Sequence, residues 1–377
     1  MPVRAEIWWQ AVKRGGRRKS PPIRVQDKKR IIKNRGVYLS VKIREELEKR
    51  EEEFLSEYAC LSGKSKGRLK DEEEDDLRPV FQRDRDRIIH SKAFRRLKDK
   101  TQVFLTPRGD HYRTRLTHTL EVAQIARTIS RSLCLNEDLT EAIALGHDLG
   151  HTPFGHAGER ALNKVCPLGF KHANQSVRVV QILEKNGKGL NLSIEVLDGI
   201  EKHGMSSKPS TLEGQVVRLS DKIAYMHHDM DDALRAGILT SDSVPESIAA
   251  VVGNTLGERL DSFIKDIIMN SRGKSEIVMS PPCLEALLSL REWMFETIYT
   301  NTTAKSQEGK AEGIVCTLYR HFTENPEELP EEYRYLIEEM DEDPRRIVSD
   351  YISSMTDRYA IGVYEELYIP DPWQKVR

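Results

Sequence analysis

Long hydrophobic runs are missing from this 377-residue sequence. No segment reaches the roughly 18 consecutive apolar residues of a membrane-spanning helix, and no apolar stretch typical of a secretion signal follows Met1. Cysteine is scarce: there are five, an odd number, scattered without C-x-x-C spacing. These absences argue against a membrane protein and against a disulfide-stabilised secreted protein. We therefore expect a soluble, cytoplasmic protein with reduced thiols.

An excess of either charge is also missing, because 59 basic residues are balanced by 60 acidic ones. The net charge therefore favours no class of charged partner, and any basic site has to be local. Apolar residues make up 38% of the chain, which at this length is enough to bury a large core. We expect one catalytic domain with an added lobe.

Residues 1–40 differ in composition from the rest of the chain. Basic residues are concentrated between Arg14 and Arg35, and Gly15-Gly16 and Pro21-Pro22 interrupt any regular structure. The segment could be a nucleic-acid-binding arm or a flexible extension outside the folded domain. We favour the flexible extension.

Helical periodicity dominates the remaining sequence. Across residues 116–133 the apolar side chains recur at three- and four-residue intervals, and His118 shares their face. A second helix is predicted over residues 139–149, with His147 and Asp148 at its end, and a long third one over residues 212–239 carries Asp221. Strand signals are sparse, and residues 275–279 are the best candidate. The predicted fold class is therefore mainly α.

The predicted domain organisation has three parts. Residues 1–40 form the extension, residues 41–240 the N-terminal region and catalytic core, and residues 241–377 a helical C-terminal lobe that packs on the core. The last two parts should act as one integrated catalytic unit.

Histidine is concentrated in the middle of the chain, where nine of the eleven histidines lie between His111 and His228. An isolated His-Asp pair is more often structural, but this clustering favours a metal site. His118, His147, Asp148 and Asp221 would supply two imidazoles and two carboxylates and leave positions open on a six-coordinate cation. This mixed nitrogen and oxygen set suits Mn, Fe, Mg or Co better than a closed zinc site.

Four further residues follow or accompany the His-Asp pair: His151, His156, Glu159 and His172. We expect them to lie too far along the turn to be metal ligands. A hydrolase needs such groups, one to protonate the leaving oxygen and others to bind phosphate. His156 and Glu159 are three residues apart, so on a helix the carboxylate can orient the imidazole. The alternative is that these residues only cap and hydrogen-bond within the loop.

Basic residues near the metal candidates suggest phosphate recognition. Arg115 lies three residues before His118, on the same helical side, and Lys222 follows Asp221 directly. Both could bind phosphate oxygens. The alternating charges of residues 84–87 are different, because such alternation usually forms intramolecular ion pairs.

A polar stripe follows Asp221 on the predicted long helix. Tyr225 and Asp229 recur at four-residue steps from it. A tyrosine ring can stack on a sugar or base, and a carboxylate can accept a sugar hydroxyl. The stripe therefore favours a nucleotide as the phosphoester.

Several segments together resemble the deoxyguanosine triphosphate triphosphohydrolases of the HD superfamily. The resemblance covers about residues 42–370 and is specific, since a generic HD protein would share only His118, His147, Asp148 and Asp221. The segments are residues 83–91 (RDRDRIIHS), 94–97 (FRRL), 100–104 (KTQVF), 113–118 (RTRLTH), 147–159 (HDLGHTPFGHAGE), 221–225 (DKIAY) with His228-Asp229, and 355–360 (MTDRYA).

The resemblance implies a reaction and a set of roles. Such enzymes cleave a deoxynucleoside triphosphate to a deoxynucleoside and inorganic triphosphate by water attack at the α-phosphorus, and dGTP is the expected preference. The four candidate ligands would hold a divalent cation. Mn²⁺ or Mg²⁺ is expected, and Fe and Co are further candidates. His156 would be the general acid, oriented by Glu159, whereas His151, His172, Arg115 and Lys222 would contact phosphates.

The same resemblance implies how the sugar is recognised. Gln102 and Asp229 would read the 3′-hydroxyl, Tyr225 would lie against the sugar, and Val103 would leave no room for a 2′-hydroxyl. Family members assemble as homo-oligomers, often hexamers, and some respond to dNTP or single-stranded DNA effectors. Two alternatives stay open: an HD phosphatase or phosphodiesterase acting on other nucleotides, and a nucleotide-binding regulator without turnover.

Overall fold

The computed structural model describes residues 43–102, 113–235, 237–240, 243–299 and 307–370. The extension predicted for residues 1–40 and the predicted contact of Val103 lie outside them. The chain divides into two compact units, Met1–Ile43 and Arg44–Arg377. The described α-helices of five or more residues are α1 (Ile43–Phe54), α2 (Val80–Ile89), α3 (Lys92–Arg96), α4 (Arg115–Ser132), α5 (Glu137–Gly146), α6 (Gly155–Val165), α7 (His172–Arg178), α8 (Ile194–Glu201), α9 (Leu212–Arg235), α10 (Glu246–Val252), α11 (Leu256–Ser271), α12 (Pro281–Met294), α13 (Glu308–Glu324), α14 (Glu331–Glu338), α15 (Pro344–Ser354) and α16 (Asp357–Tyr368).

The prediction of a mainly α fold is confirmed, since the described residues contain helices, turns and two isolated bridges but no strand. The strand predicted over residues 275–279 is wrong. This segment has no partner strand, and side chains satisfy its backbone instead: Ile277 N–H donates to Gln215 Oε1 and Val278 N–H to Ser271 Oγ. Among the described helices, none is both long and apolar enough to cross a membrane.

The helices that carry the candidate ligands begin at polar residues. Asn136 Oδ1 accepts the N–H of Leu139 at 3.1 Å and thereby caps α5. Thr211 Oγ1 accepts the N–H of Gly214 at 3.1 Å at the start of α9, which ends at Arg235, four residues before the predicted end. His118 lies on the buried face of α4 with its apolar residues, as predicted.

Apolar side chains pack into two clusters within the second unit. One joins residues of α2, α4, α5, α8 and α9 with residues of α10–α12. The other joins Phe154 and α6 with α13–α16. Residues 243–299 therefore pack with the helices of the candidate ligands, whereas α6 packs with the C-terminal helices. The division at residues 240 and 241 stays a prediction.

The ion pairs predicted for residues 84–87 are confirmed. These pairs hold the N-terminal part of the described chain against the first apolar cluster. Because each charged side chain at these four positions is paired, they form no free basic patch. The pairs are Arg68 with Asp84, Arg78 with Asp86, Arg85 with Asp138, and Arg87 with Glu72.

Candidate metal and active site

Four buried side chains from three helices converge at the centre of the first cluster. His118 comes from α4, His147 and Asp148 follow the end of α5, and Asp221 lies in the middle of α9. His118 Nε2 is 3.3 Å from Asp221 Oδ1, and His147 Nε2 is 3.4 Å from Asp148 Oδ1 and 3.7 Å from Asp221 Oδ1. The predicted set of ligands is thus brought together in space.

The hydrogen bonding of His147 fits a metal ligand. Its Nδ1 lies 2.7 Å from the carbonyl oxygen of Ala144, which can only accept, so Nδ1 carries the proton. In the neutral ring that a cation requires, Nε2 then holds the lone pair; it is buried and has no hydrogen-bond partner among the described residues. Ligand atoms of His118, His147 and Asp148 all lie within 4.8 Å of one another. Two imidazole nitrogens beside carboxylate oxygens suit a divalent cation.

The charges of the cluster are strongly coupled. Burial alone would lower the pKa of His147, but the carboxylates of Asp148 and Asp221 outweigh it and raise that pKa to about 9. Burial would also raise the pKa of Asp148, but His147, His151 and Arg115 hold it well below its usual range. The site therefore stabilises positive charge between ionised carboxylates, which is the property that a cation requires.

Arg115 is tied to the carboxylate of Asp148. Its Nη1 donates to Asp148 Oδ2 at 2.7 Å and its Nη2 to the backbone oxygen of Gln102 at 3.3 Å, and the side chain is buried. Gln102 is also buried, and its Oε1 has no hydrogen-bond partner within the part of the chain that the structure describes. The backbone of Gln102 is thus joined through Arg115 to the candidate ligand Asp148, and its side chain carries an unpaired acceptor.

Three histidines extend the cluster beyond Asp148. His151 Nε2 lies 3.3 Å from Asp148 Oδ1, and the rings of His151 and His172 stack with centroids 4.0 Å apart. Atoms of Asp148, His151 and His172 are close enough together to hold an ion. The expectation that these two histidines are not metal ligands stays a prediction. The ring of His156 is 5.7 Å from that of His151.

Glu159 lies between two of these histidines. Its Oε2 is 3.5 Å from His156 Nδ1, as the three-residue spacing on α6 predicted. Its shorter contacts are with His172, whose Nδ1 lies 2.9 and 3.0 Å from the two carboxylate oxygens. Burial would raise the pKa of Glu159, but hydrogen bonds from both histidines hold it far below its usual range. The carboxylate is therefore ionised, and the side chain of His156 is 55% exposed beside it.

Comparison with known proteins identifies the family. The HD domain model matches residues 115–226, and the phosphohydrolase-associated domain model matches residues 277–366. A protein of Caldanaerobacter subterraneus subsp. tengcongensis named deoxyguanosinetriphosphate triphosphohydrolase-like is 56% identical over 88% of this chain and 98% of its own length. Proteins of the same name from Clostridium perfringens and Desulfatibacillum aliphaticivorans are 48% and 46% identical, each over 88% of this chain and 98% and 99% of theirs. The chain belongs to this family.

The predicted resemblance to deoxyguanosinetriphosphate triphosphohydrolases is thus confirmed at the level of the family. The chain is a hydrolase, a metal-dependent HD phosphohydrolase, and its HD domain implies a divalent cation. The HD match begins at Arg115 and ends one residue after Tyr225. It therefore contains all four candidate metal ligands.

The long helix α9 of this HD phosphohydrolase carries the other predicted substrate residues. Lys222 Nζ lies 3.0 Å from Asp221 Oδ2, so its charge is paired with a candidate ligand. Tyr225 is partly buried and Asp229 is buried on the same helix. Their roles stay predictions, as does that of Val103, which lies outside the described residues.

Two residues that the sequence did not single out hold the site in place. Lys100 is buried, and its Nζ donates to the backbone oxygen of Ser353 at 2.7 Å and to that of His151. Asp357 accepts from the backbone of Thr101 at 3.0 Å and of Phe154 at 2.9 Å. Both residues lie in segments that matched the family, which was the only available signal.

A glycine allows a close backbone approach at the site. A side chain at Gly150 would clash with the backbone of α7, because its first carbon would lie 2.2 Å from the nitrogen of Ser176 and 2.6 Å from the oxygen of His172. The hydroxyl of Ser176 also donates to the backbone oxygen of His147 at 2.7 Å. This approach places His172 against His151.

Proposed function

We propose that this HD phosphohydrolase cleaves deoxynucleoside triphosphates, with dGTP preferred, to a deoxynucleoside and inorganic triphosphate. The supporting observation is the buried cluster of imidazoles and carboxylates around Asp148, bordered by the exposed ring of His156. The relatives named deoxyguanosinetriphosphate triphosphohydrolase-like support the choice of substrate. A site with this many imidazoles can both hold a cation and transfer a proton.

In this proposal His118, His147, Asp148 and Asp221 hold the cation. When bound, the divalent cation, Mn²⁺ or Mg²⁺ with Fe or Co as further candidates, neutralises phosphate charge and lowers the pKa of water. The proton on Nδ1 of His147, held by Ala144, fixes which nitrogen faces the carboxylates.

The reaction needs one proton donor. Water attacks the α-phosphorus and releases one proton to the solvent, the bond from this phosphorus to the 5′-oxygen breaks, and the 5′-oxygen takes a proton from the imidazolium of His156. The solvent then returns a proton to His156. Glu159 beside Nδ1 orients the ring. The deoxynucleoside leaves with its 5′-hydroxyl, and the three phosphates leave together.

Positive and hydrogen-bonding groups surround the place where the phosphates would lie. His151 and His172 stack beside Asp148, with Glu159 behind His172. Arg115 lies 2.7 Å from the carboxylate of Asp148, and Lys222 lies 3.0 Å from that of Asp221. Each basic side chain therefore contacts a candidate metal ligand. Their charges are therefore held within reach of any phosphate that binds the same cation.

Sugar recognition is proposed for residues at the edge of this cluster. The unpaired Oε1 of the buried Gln102 can accept the 3′-hydroxyl, together with the carboxylate of Asp229. Tyr225 would lie against the sugar, and Val103 would exclude a 2′-hydroxyl sterically. We also propose a homo-oligomer, a hexamer, and a response to dNTP or single-stranded DNA effectors.

Product analysis tests this function. Each of the four dNTPs is incubated with the protein, alone and with the others, under Mn²⁺, Mg²⁺ or Co²⁺, and products are resolved by anion exchange and phosphorus NMR. We expect deoxynucleoside and intact triphosphate, fastest from dGTP and absent with GTP. Release of orthophosphate or pyrophosphate would identify a different phosphohydrolase. Saturable dGTP binding without any product would identify a regulator.

A further inference from the structure

A chain of close polar contacts leads from His118 to the surface. His118 Nδ1 lies 3.4 Å from Nδ1 of His228, and the two rings meet edge to face, with centroids 5.5 Å apart and planes at 89°. On its other side His228 Nε2 lies 2.6 Å from Glu121 Oε2. His228 is buried, whereas the side chain of Glu121 is 38% exposed.

The positions of the protons follow from the partners at the two ends. His118 turns Nε2 toward the carboxylates of Asp221 and Asp148, at 3.3 and 3.9 Å, so a cation there takes its Nε2 lone pair. The proton of His118 is then on Nδ1 and donates to Nδ1 of His228. His228 must in turn carry its proton on Nε2, which lies 2.6 Å from the carboxylate of Glu121. One proton on each ring satisfies every contact in the chain.

We propose that His228 and Glu121 are positioning residues for the metal ligand His118. A carboxylate at the end of such a chain fixes the tautomer of the ligand, holds its ring in the coordinating orientation and raises the basicity of Nε2. This inference rests on the metal site of the proposed function but not on the identity of the substrate.

The fold explains why these residues meet. Glu121 lies three residues after His118 on α4, and His228 lies seven residues after Asp221 on α9, so each is on the same side of its helix as a candidate ligand. The two ligand helices therefore also carry the two members of the chain. Arg113 Nε lies 3.4 Å from Glu121 Oε1, on the exposed side of the carboxylate.

Metal affinity in the absence of substrate tests the proposal. The full-length protein is freed of metal with a chelator and titrated with Mn²⁺ by calorimetry, and Co²⁺ binding is followed by visible absorption. His228→Ala should weaken Mn²⁺ binding about 10- to 100-fold and alter the Co²⁺ spectrum. Glu121→Ala should have a smaller effect in the same direction, and Glu121→Gln, whose amide oxygen still accepts from His228, should retain more affinity than Glu121→Ala.

His227→Ala is the matched control, because His227 lies beside His228 on α9, with ring centroids 5.8 Å apart, but does not contact His118. It should bind Mn²⁺ as the unaltered protein does. Unchanged Mn²⁺ affinity and an unchanged Co²⁺ spectrum in a folded His228→Ala variant would overturn the proposal. If that variant does not fold, Glu121→Ala at its partly exposed position decides in the same way. An unaltered protein that binds metal but does not hydrolyse dGTP contradicts the proposed substrate alone.

Discussion

Lys100 is expected to make the stability of the protein depend on pH above neutrality. Its side chain is buried next to His151 of the candidate site. Among the described residues, its Nζ contacts only the backbone oxygens of Ser353 and His151. Burial, together with the charges of Arg96 and Arg115, outweighs the carboxylates of Asp357 and Asp148 and lowers the pKa of Lys100 from 10.5 to about 7. The unfolded chain keeps the ordinary pKa.

The sign of the effect follows from the bound protons. Between pH 7 and 10.5 the unfolded state keeps a proton on Lys100 that the folded state has lost, so the free energy of unfolding rises with pH by up to about 1.4 kcal/mol for each pH unit. Below pH 7 both states are protonated, and the cost of burying the charge is present in full. From pH 7 to 9.5 the gain is about 3 kcal/mol. For a unit of this size that gain corresponds to about 4 °C in Tm.

The assay compares the unaltered protein with Lys100→Met at both pH values, with a chelator present. Methionine has a similar length and no titratable group, so Tm of the variant should rise about 4 °C less between pH 7 and 9.5 than Tm of the unaltered protein. Groups that titrate in both proteins contribute equally to the two changes in Tm, so their contributions cancel in the difference. The lost hydrogen bonds change Tm at both pH values but not its slope. Equal slopes would refute a neutral Lys100.

Three further outcomes are expected. Asp148→Ala should lose bound metal and hydrolysis together, since Asp148 contacts His147, His151 and Arg115, and metal-dependent turnover by this variant would contradict its role as a ligand. His156→Ala should lower kcat about 10²- to 10⁴-fold while substrate still binds, as rapid-mixing and binding measurements can show, and an unchanged kcat would exclude it as the acid. Removal of residues 1–40 should leave hydrolysis intact in the same assay, and a loss of activity would show that the segment contributes.

Local chemistry explains which parts of the fold were predictable. Asn136 and Thr211 mark helix starts because their side chains accept N–H groups of the first turn, a signal within three residues. His118 could be placed on a buried face because apolar periodicity is also local. The end of α9 was missed by four residues because the apolar pattern continues to Leu239, although Gly237, with a φ of 67°, is the residue that stops the helix.

Long-range contacts explain what the sequence left open. Lys100 binds an oxygen of Ser353, which is 253 residues away, and Asp357 binds the backbone of Thr101, which is 256 residues away. No periodicity links such positions. The failed strand at residues 275–279 has the same origin: whether an extended segment pairs depends on a distant partner, and here the side chain of Gln215 takes that place.

The contacts of Glu159 show that a residue distant in the sequence can lie closer than one at helical spacing. The three-residue interval predicted its pairing with His156, which stands at 3.5 Å, but its shortest contact, 2.9 Å, is with His172, 13 residues away. The backbone N–H of His172 also donates to Glu159 Oε1 at 2.9 Å. One carboxylate therefore orients both the candidate acid and a candidate phosphate contact. Loss of the Glu159 charge is therefore expected to weaken both proton transfer and phosphate binding. Substitution of either histidine alone should not weaken both together.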